Sequence, residues 1–276
     1  MNEQKLKEQG KSTIFSWNND NFEYLLQSCS KDDEVLITLK YLKDKNLKIL
    51  EAGCGLGRVV KYLYDLGFKN IYGIEINKAA VDFLNKSYPE LNVINGNILN
   101  MTYQKESFDI VLSYGVIEHF PAGPNLPMKS IYNVLKKGGI AIITIPSFNF
   151  LRQIKYFFSF LDLRKKNFIR KIFGKKLIVK NKKRFSYFIE PQIGEFFEYR
   201  FTPLQFEKIC KNSGFEIIAS LPIAHVDGLF HTFGTRLVEF DNWQFKMTRF
   251  GKIVNLILSK IPFLHNHMHM CVLRKL

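Results

Sequence analysis

The chain has 276 residues, of which 46% are hydrophobic and 24% are charged, a composition typical of folded globular proteins. No stretch is long and apolar enough for a membrane-spanning helix, and residues 1–11 are too polar for a signal peptide. The four cysteines are scattered, which argues against a disulfide framework or a zinc site and indicates a cytoplasmic protein.

The formal net charge of +15 is unevenly distributed. Residues 152–184 contain 13 Lys or Arg residues and a single acid, Asp162. Such a block attracts nucleic acid, an anionic membrane or an acidic substrate. A solvated surface in a lysine-rich protein is the alternative interpretation.

Strands and helices alternate along most of the chain. Helical spacing over residues 20–45 predicts two short helices, so residues 1–46 are interpreted as an N-terminal helical segment. Helices are also expected from Gly57 to about Leu66 and over 78–87, 126–135 and 202–212. Strands are predicted at 47–50, 70–75, 91–95, 108–113, 140–145, 215–221 and 267–273. This α/β pattern predicts a seven-stranded, mostly parallel sheet with helices on both faces.

A glycine-rich turn follows the first predicted strand. Gly53, Gly55 and Gly57 allow a sharp turn and close approach of a ligand to the backbone, just before a helix N-terminus. Glu75 ends the next strand, where an acid can accept hydrogen bonds from a ribose diol. A nicotinamide-binding fingerprint would place its third glycine at Arg58, so the pattern departs from that of dinucleotide-binding oxidoreductases.

These motifs resemble class I S-adenosylmethionine-dependent methyltransferases, of the ubiquinone-biosynthesis-like type that acts on small-molecule, lipid or glycan acceptors. The resemblance covers residues 47–146 and 200–221, and the last strand. It implies a Rossmann-like methyltransferase domain over 47–276, with helical insertions at about 147–199 and 222–264. It also implies S-adenosylmethionine as the cofactor. The residues that it assigns to the cofactor are Glu51, Gly53, Cys54, Gly55, Gly57, Arg58, Glu75, Ile76, Asn97, Ile98, Ser113, Tyr114 and Glu118.

Individual roles within this set are expected from the same resemblance. Glu75 would bind the ribose hydroxyls, and Asn97 occupies the position, more often Asp, that contacts the adenine. Ser113 and Tyr114 would line the methionine side. Cys54 is interpreted as a small packing residue within the turn.

His119 and Tyr199 are the predicted catalytic residues. His119 follows the fourth strand at the ligand-binding edge of the sheet, where it would act as a base or touch the methyl acceptor. A structural or cofactor-side role is the alternative. Tyr199 precedes the late helix and would face the acceptor, unless it is an ordinary surface hairpin residue.

His265, His267 and His269 alternate near the C-terminus, as metal ligands on one strand face would. No acid or cysteine accompanies them nearby, so an ordinary final strand without a metal is predicted.

Two basic amphipathic helices are predicted within the insertions, around 150–161 and 247–261. Their apolar faces are expected to pack together as a lid over the site, and the alternative is contact with an anionic membrane. In that case the protein is peripheral at the inner face of the cytoplasmic membrane.

Methyl transfer to a small-molecule, glycan or lipid-linked acceptor, at oxygen, is the function predicted here. An RNA methyltransferase using the basic insertion is one alternative, although Ser113-Tyr114-Gly115-Val116 replaces the Asn-Pro-Pro-Tyr-like signature of nucleic-acid methyltransferases. A nicotinamide oxidoreductase and a catalytically silent cofactor-binding module are the others.

Overall fold

The computed structural model describes residues 21–159, 167–174, 186–189, 196–241 and 244–276. Seven strands form its main sheet: β1 Ile49–Ala52, β2 Ile71–Glu75, β3 Asn92–Asn95, β4 Phe108–Tyr114, β5 Leu135–Pro146, β8 Phe215–Ile223 and β11 Met268–Lys275. Their order across the sheet is β3-β2-β1-β4-β5-β11-β8. The predicted seven-stranded Rossmann-like fold is thereby confirmed.

Strands β1 to β5 pair in parallel, whereas β11 inserts antiparallel between β5 and β8. The bounds differ from the sequence prediction mainly in β1, which lies two residues later, and in β5, which begins at Leu135. β11 begins at Met268, so that His265 and His267 precede the strand.

The central strands β1, β4 and β5 are buried on both faces, which explains their uninterrupted apolar runs. Alternate residues of one strand contribute to different cores. Ile110 and Leu112 belong to one hydrophobic cluster and Val111 to the other. The first cluster includes the N-terminal helices and the second includes the late helix before β8.

The helices before β5 are short and match the predicted alternation. The two N-terminal helices that the sequence predicts are present as α1 and α2. The bounds are α1 Phe22–Ser28, α2 Asp33–Leu39, α3 Arg58–Asp65, α4 Lys78–Ser87 and α5 Asn125–Val134.

The region at 147–199 is only partly described. It includes α6 Phe150–Ser159, α7 Asn167–Ile172 and an antiparallel pair, β6 Ser186–Ile189 with β7 Phe196–Arg200. Helix α8, Pro203–Asn212, follows and begins with a capping box between Thr202 and Gln205. Leu161 of the predicted amphipathic helix lies outside the described residues.

The region at 222–264, expected to be irregular apart from one helix, contains further regular elements. They are α9 His225–Phe233, the hairpin β9 Val238–Asp241 and β10 Gln244–Met247, and α10 Arg249–Leu258. These elements share a small hydrophobic cluster around Leu229, Leu237 and Val238, onto which Val254 and Leu258 of α10 pack.

The amphipathic helices differ from the predicted lid. Instead of packing together, their apolar faces remain largely exposed: Phe157 and Phe158 of α6 are 73% and 59% exposed, and Phe250 of α10 is 64% exposed. No helix in the described part of the chain is long and apolar enough to cross a membrane.

Candidate functional site

The predicted cofactor residues meet at the carboxyl ends of β1, β2, β3 and β4. Connections leave β1 toward β2 on one side, while β4 pairs with β1 on the other side. Ligands of open α/β sheets bind at such a point, where the strand order reverses, because the loops diverge and leave a crevice.

The turn between β1 and α3 uses glycine because its backbone is left-handed. Gly53, Gly55 and Gly57 have φ angles of 83°, 55° and 68°. A Cβ on Gly53 would also lie 2.6 Å from the Val116 side chain, so the turn and the loop after β4 are in close contact. The amides of Gly53 and Cys54 both donate to the Ile74 carbonyl, at 2.8 and 3.1 Å, which attaches the turn to β2.

Glu75 joins the turn to the end of β2. Its carboxylate accepts hydrogen bonds from the amides of Gly55 and Asn77, both at 2.9 Å. The side chain is therefore held at the mouth of the crevice beside the glycines. Each carboxylate oxygen keeps further lone-pair capacity, which suits a vicinal diol.

Glu51 lies at the base of the turn, 4% exposed. Its Oε2 atom is buried and has no hydrogen-bond partner among the described residues. Burial raises the pKa of Glu51 to about 8, opposed by the nearby Arg58 guanidinium. A buried carboxyl group with an unpartnered oxygen is suited to a cationic ligand, because an ammonium group would compensate the ionised form.

Arg58, predicted to bind the cofactor, turns toward the N-terminal helices instead. Its guanidinium donates to Asp32, to Glu34 at 3.1 Å and to the hydroxyl of Ser28 at 3.2 Å. Asp32 and Glu34 lie at the N-terminus of α2, where acidic residues stabilise a helix in any case. Their positions in the sequence therefore do not indicate that they pair with Arg58. The sequence prediction therefore missed that these residues attach the N-terminal segment to the turn.

Asn97 follows β3 and caps a short 3₁₀ turn, Ile98–Asn100, by accepting from the Leu99 amide at 2.9 Å. Ile98 is buried, whereas Ile76 beside Glu75 is 37% exposed. An exposed isoleucine beside Glu75, the acid predicted to bind the ribose, is a suitable surface for a purine ring. These contacts with an adenine stay predictions.

Ser113 and Tyr114 end β4 next to the turn. The hydroxyl of Ser113 donates to the Ala52 carbonyl at 3.2 Å. Tyr114 shares a hydrogen bond with Thr38 of α2, a residue that the sequence prediction did not include. Cys54 is buried, and its Sγ would lie 2.9 Å from a Cβ on Gly73, in agreement with a packing role.

Glu118 and His119 lie in the turn after β4. Glu118 is 1% exposed, and its Oε2 has no hydrogen-bond partner among the residues described. Burial, with a contribution from Glu198, raises the pKa of Glu118 well above its usual value. His119 Nε2 lies 3.8 Å from Glu118 Oε1.

Tyr199 reaches the same loop from β7. Its ring is 1% exposed, and its hydroxyl donates to the Pro121 carbonyl at 2.7 Å. This contact favours a role in positioning the loop that carries His119. A direct contact between Tyr199 and the acceptor stays a prediction.

The three C-terminal histidines have separate partners. His265 contacts Asn255, His267 contacts Arg152, and His269 contacts Ser220. Among the described residues, no group of three or more His, Cys, Asp or Glu side chains is arranged to hold a metal ion.

The residues at this edge fit S-adenosylmethionine. The unpartnered Glu51 oxygen suits the amino group of its methionine part, and Glu75 suits the ribose. The left-handed backbone at Gly53, Gly55 and Gly57 is one that other residues rarely adopt, so the shape of the turn depends on glycine.

The chain is similar to known methyltransferases. Residues 50–143 match the family model of a methyltransferase domain. A probable S-adenosylmethionine-dependent methyltransferase of Mycolicibacterium smegmatis is 27% identical over 99 residues, which are 36% of this chain and 38% of that protein. A sterol 24-C-methyltransferase of Debaryomyces hansenii is 28% identical over 103 residues, 35% of this chain and 27% of that protein. The matches thus span well under half of these relatives.

The fold comparison extends further along the chain. The crystal structure of an S-adenosylmethionine-dependent methyltransferase from Methanosarcina mazei has a TM-score of 0.55 and 16% identity, covering 87% of this chain and 97% of that one. At this identity the similarity establishes the fold. Together, the family match and the fold show that the chain carries a class I S-adenosylmethionine-dependent methyltransferase domain, with S-adenosylmethionine as its cofactor.

Proposed function

We propose that the protein transfers a methyl group from S-adenosylmethionine to an oxygen atom of a lipid-linked acceptor at an anionic membrane surface. The observation that carries the methyl transfer is the arrangement of Glu75 and the unpartnered Glu51 oxygen around the glycine turn. Glu75 can accept hydrogen bonds from a ribose diol, and the Glu51 carboxylate can bind an ammonium group, and both residues adjoin the same glycine turn.

The cofactor supplies an electrophilic methyl group on its sulfonium. The protein then has to orient the two reactants and exclude water. In this proposal Tyr114 and Ser113 line the methionine side of the cofactor, and Val116 packs against the turn at Gly53. These groups are buried or half-buried, so the reacting atoms are shielded from bulk water.

A methyl acceptor oxygen must lose its proton, and His119 is the proposed base. Glu118 is less suited to this role, because burial raises its pKa well above the usual value and disfavours the ionised form that a base requires. Replacement of His119 by Asn is expected to lower kcat while leaving the affinity for S-adenosylmethionine unchanged.

The lipid-linked acceptor is supported by the exposed apolar faces of three helices. α6, α7 and α10 expose large side chains to solvent, and none of the three helices contains an acidic residue. Lys155, Lys171 and Lys252 accompany these side chains and are exposed. Apolar residues flanked by cations suit insertion into the headgroup region of anionic lipids. The exposed apolar residues on these helices and just after α10 are Phe150, Ile154, Phe157, Phe158, Phe168, Ile172, Phe250, Ile253, Leu256, Ile257 and Ile261.

The sterol methyltransferase relative, whose name implies a lipid acceptor, is compatible with this proposal. Phosphates of RNA would also be attracted by the basic block, but would leave the exposed phenylalanines without a partner. A catalytically silent module would bind S-adenosylmethionine without turnover, and the His119 variant gives no information in that case.

Calorimetry with S-adenosylmethionine and with NADH tests the cofactor. Micromolar binding of the methyl donor, lost in Glu75→Ala, supports the proposal. Binding of NADH alone contradicts it.

Flotation with vesicles tests the membrane. We expect binding to phosphatidylcholine mixed with phosphatidylglycerol, and none to phosphatidylcholine alone. Phe157→Ser with Phe250→Ser should weaken binding at least about tenfold, because each buried phenylalanine contributes roughly 2 kcal/mol. Leu204→Ser is the matched control, since Leu204 is 78% exposed but lies on α8. Equal losses of vesicle binding in both variants would contradict membrane contact through α6 and α10. Binding to RNA in place of vesicles would favour the nucleic-acid alternative.

A further inference from the structure

Arg152 lies in the first turn of α6 and points back toward the end of β5. One guanidinium nitrogen donates to the Ser147 carbonyl at 2.5 Å and to the His267 carbonyl at 3.3 Å. The other lies 2.7 Å from His267 Nδ1. No carboxylate of the described residues lies within ion-pair distance of Arg152.

The backbone holds this arginine in place from both sides. Asn149 caps α6 by accepting from the Arg152 amide at 2.8 Å, and its own side-chain amide donates to the Asn266 carbonyl at 2.7 Å. The amide of Ser147 donates to the His267 carbonyl at 2.9 Å. The position of the guanidinium is thus determined before any ligand arrives.

The tautomer of His267 follows from this contact. A guanidinium has only donors, so Nδ1 of His267 must accept and the ring proton is on Nε2. Burial and the charge of Arg152 hold the pKa of His267 well below its usual value, which agrees with a neutral ring. The Nε2–H group has no hydrogen-bond partner among the described residues.

Two further side chains near Arg152, His231 and Ser147, can donate hydrogen bonds to a ligand. His231 stacks on His267 with ring centroids 4.2 Å apart and is exposed to solvent. The hydroxyl of Ser147 is buried without a hydrogen-bond partner among the residues that the structure describes. Glu198, whose charge acts on Arg152 from a greater distance, is hydrogen-bonded to Arg200 at 2.7 Å.

Burial and Arg200 lower the pKa of Arg152 to about 10, with Glu198 acting in the opposite direction. A half-buried cation that lacks its own counter-ion is costly, unless an anion joins it in the functional state. The pocket therefore has excess positive charge and several donors, and it is open to solvent on the His231 side.

The pocket adjoins the catalytic loop. Met268, next to His267, pairs with Pro146 at the end of β5. The Met268 methyl group would lie 3.8 Å from a Cβ on Gly115, which follows β4 in the loop that carries Glu118 and His119. A ligand beside Arg152 would thus approach the methyl-transfer site from the β5 side.

We propose that Arg152, His267 and His231 bind an oxyanion, a phosphate or carboxylate group, of the methyl acceptor. That this oxyanion belongs to the methyl acceptor rests on the proposed function, whereas binding of an oxyanion at Arg152 does not depend on it. Phosphate and carboxylate share the chemistry that the pocket recognises, which is several acceptor atoms around a negative charge. The molecule that bears this phosphate or carboxylate group is either a soluble metabolite or a lipid.

The probe for a soluble carrier is phenyl phosphate, with benzoate as the carboxylate, titrated calorimetrically in the absence of S-adenosylmethionine. Vesicles containing phosphatidic acid are the probe for a lipid carrier. We expect Arg152→Gln to weaken binding of the preferred probe at least about tenfold, as loss of a charge-assisted contact does. Lys211→Gln removes one charge from an exposed position on α8, away from the helices proposed to contact lipid, and should leave binding of each probe unchanged.

Binding of S-adenosylmethionine is measured separately on each variant. If the methyl donor fails to bind but phenyl phosphate binds through Arg152, the proposed function fails and the oxyanion site stands. If none of the three probes binds, or if Arg152→Gln and Lys211→Gln lower the affinity equally, the site is overturned.

Arg152 also supports the backbone, so a measurement on the unsubstituted protein covers the case in which Arg152→Gln fails to fold. The ring ¹⁵N resonances of His231 and His267, assigned with His231→Asn, should move on addition of the probe. The pKa of each ring should rise, because an anion stabilises imidazolium. Resonances that stay unchanged at saturating probe would overturn the proposal.

Discussion

The carboxylate of Glu75 accepts a hydrogen bond from the amide of Gly55 at 2.9 Å, which connects the end of β2 to the glycine turn after β1. This single contact explains why the acid and the turn occur together in the sequence. Glu75 therefore has one observed role and one predicted role, since the carboxylate that shapes the turn is also the one predicted to bind the ribose.

Glu75→Ala is expected to weaken S-adenosylmethionine binding by at least about tenfold, because hydrogen bonds to a charged group contribute roughly 1.5–3 kcal/mol. Calorimetry measures the affinity, and near-ultraviolet circular dichroism checks the fold. Glu90→Ala, at an exposed position after α4, is the matched control. Unchanged affinity in a folded Glu75→Ala protein would remove Glu75 from the cofactor site.

Gly53→Ala should destabilise the protein by about 2 kcal/mol or more, because the backbone is left-handed and the new Cβ would lie 2.6 Å from Val116. Gly123→Ala shares the positive φ but has no atom within 4 Å, so only backbone strain remains. Urea denaturation measures both. Adding Val116→Ala to Gly53→Ala should bring the loss of stability closer to that of Gly123→Ala, because the contact with Val116 is removed. An unchanged loss of stability would show that this contact is not its cause.

Arg58→Met is expected to destabilise the protein by about 1–3 kcal/mol, because Asp32 and Glu34 would be left without their partner. Lys61→Met on the same helix removes an ion pair with exposed Asp65 and should cost less than about 1 kcal/mol. Thermal unfolding compares the two. If Arg58→Met lowers the affinity for S-adenosylmethionine without lowering Tm, the predicted direct contact with the cofactor is supported instead.

Glu51 is expected to couple cofactor binding to pH. Its pKa of about 8 means that the carboxyl group is neutral below this value, whereas a cationic ligand favours the ionised form. Affinity for S-adenosylmethionine should therefore rise from about pH 6 to about pH 8, with a proton released on binding. Calorimetry in buffers of different ionisation enthalpy detects the proton, and Glu51→Gln should abolish its release.

The raised pKa of Glu51 also affects stability in the absence of ligand. Burial raises the folded-state pKa of Glu51 from its ordinary value of 4.5 to about 8, so the folded state holds this proton more tightly than the unfolded state. The contribution of Glu51 to the free energy of unfolding is therefore fully present below about pH 4.5 and is lost as the pH rises through 8. Glu51→Gln should thus gain stability relative to the unsubstituted protein over this range, and urea denaturation at several pH values measures the gain. Parallel stability curves for the two proteins would argue against the raised pKa.

Tyr199→Phe distinguishes positioning from contact with the acceptor. Loss of the buried hydrogen bond to Pro121 should cost about 1 kcal/mol of unfolding free energy. Tyr24→Phe, at a site that is 45% exposed, should cost nothing measurable. A large fall in kcat with unchanged stability would instead assign the hydroxyl to the acceptor.

The local elements and the glycine turn could be predicted from sequence because they depend on short-range spacing. The predicted helix over 78–87 is observed as α4, and Thr202 and Gln205 are three residues apart in the capping box that begins α8. Apolar runs indicated strands buried on both faces. The position of Glu75 about 20 residues after the turn follows from the length of one strand-helix-strand unit.

The environment of individual side chains was decided by the tertiary structure. Arg58 pairs with acids 24 and 26 residues away, and Arg152 with a histidine 115 residues away. The sequence indicated apolar faces on α6 and α10, but only the packing showed that those faces remain exposed. Periodicity specifies which face of a helix is apolar, whereas the partner of that face depends on how distant segments are brought together by the sheet.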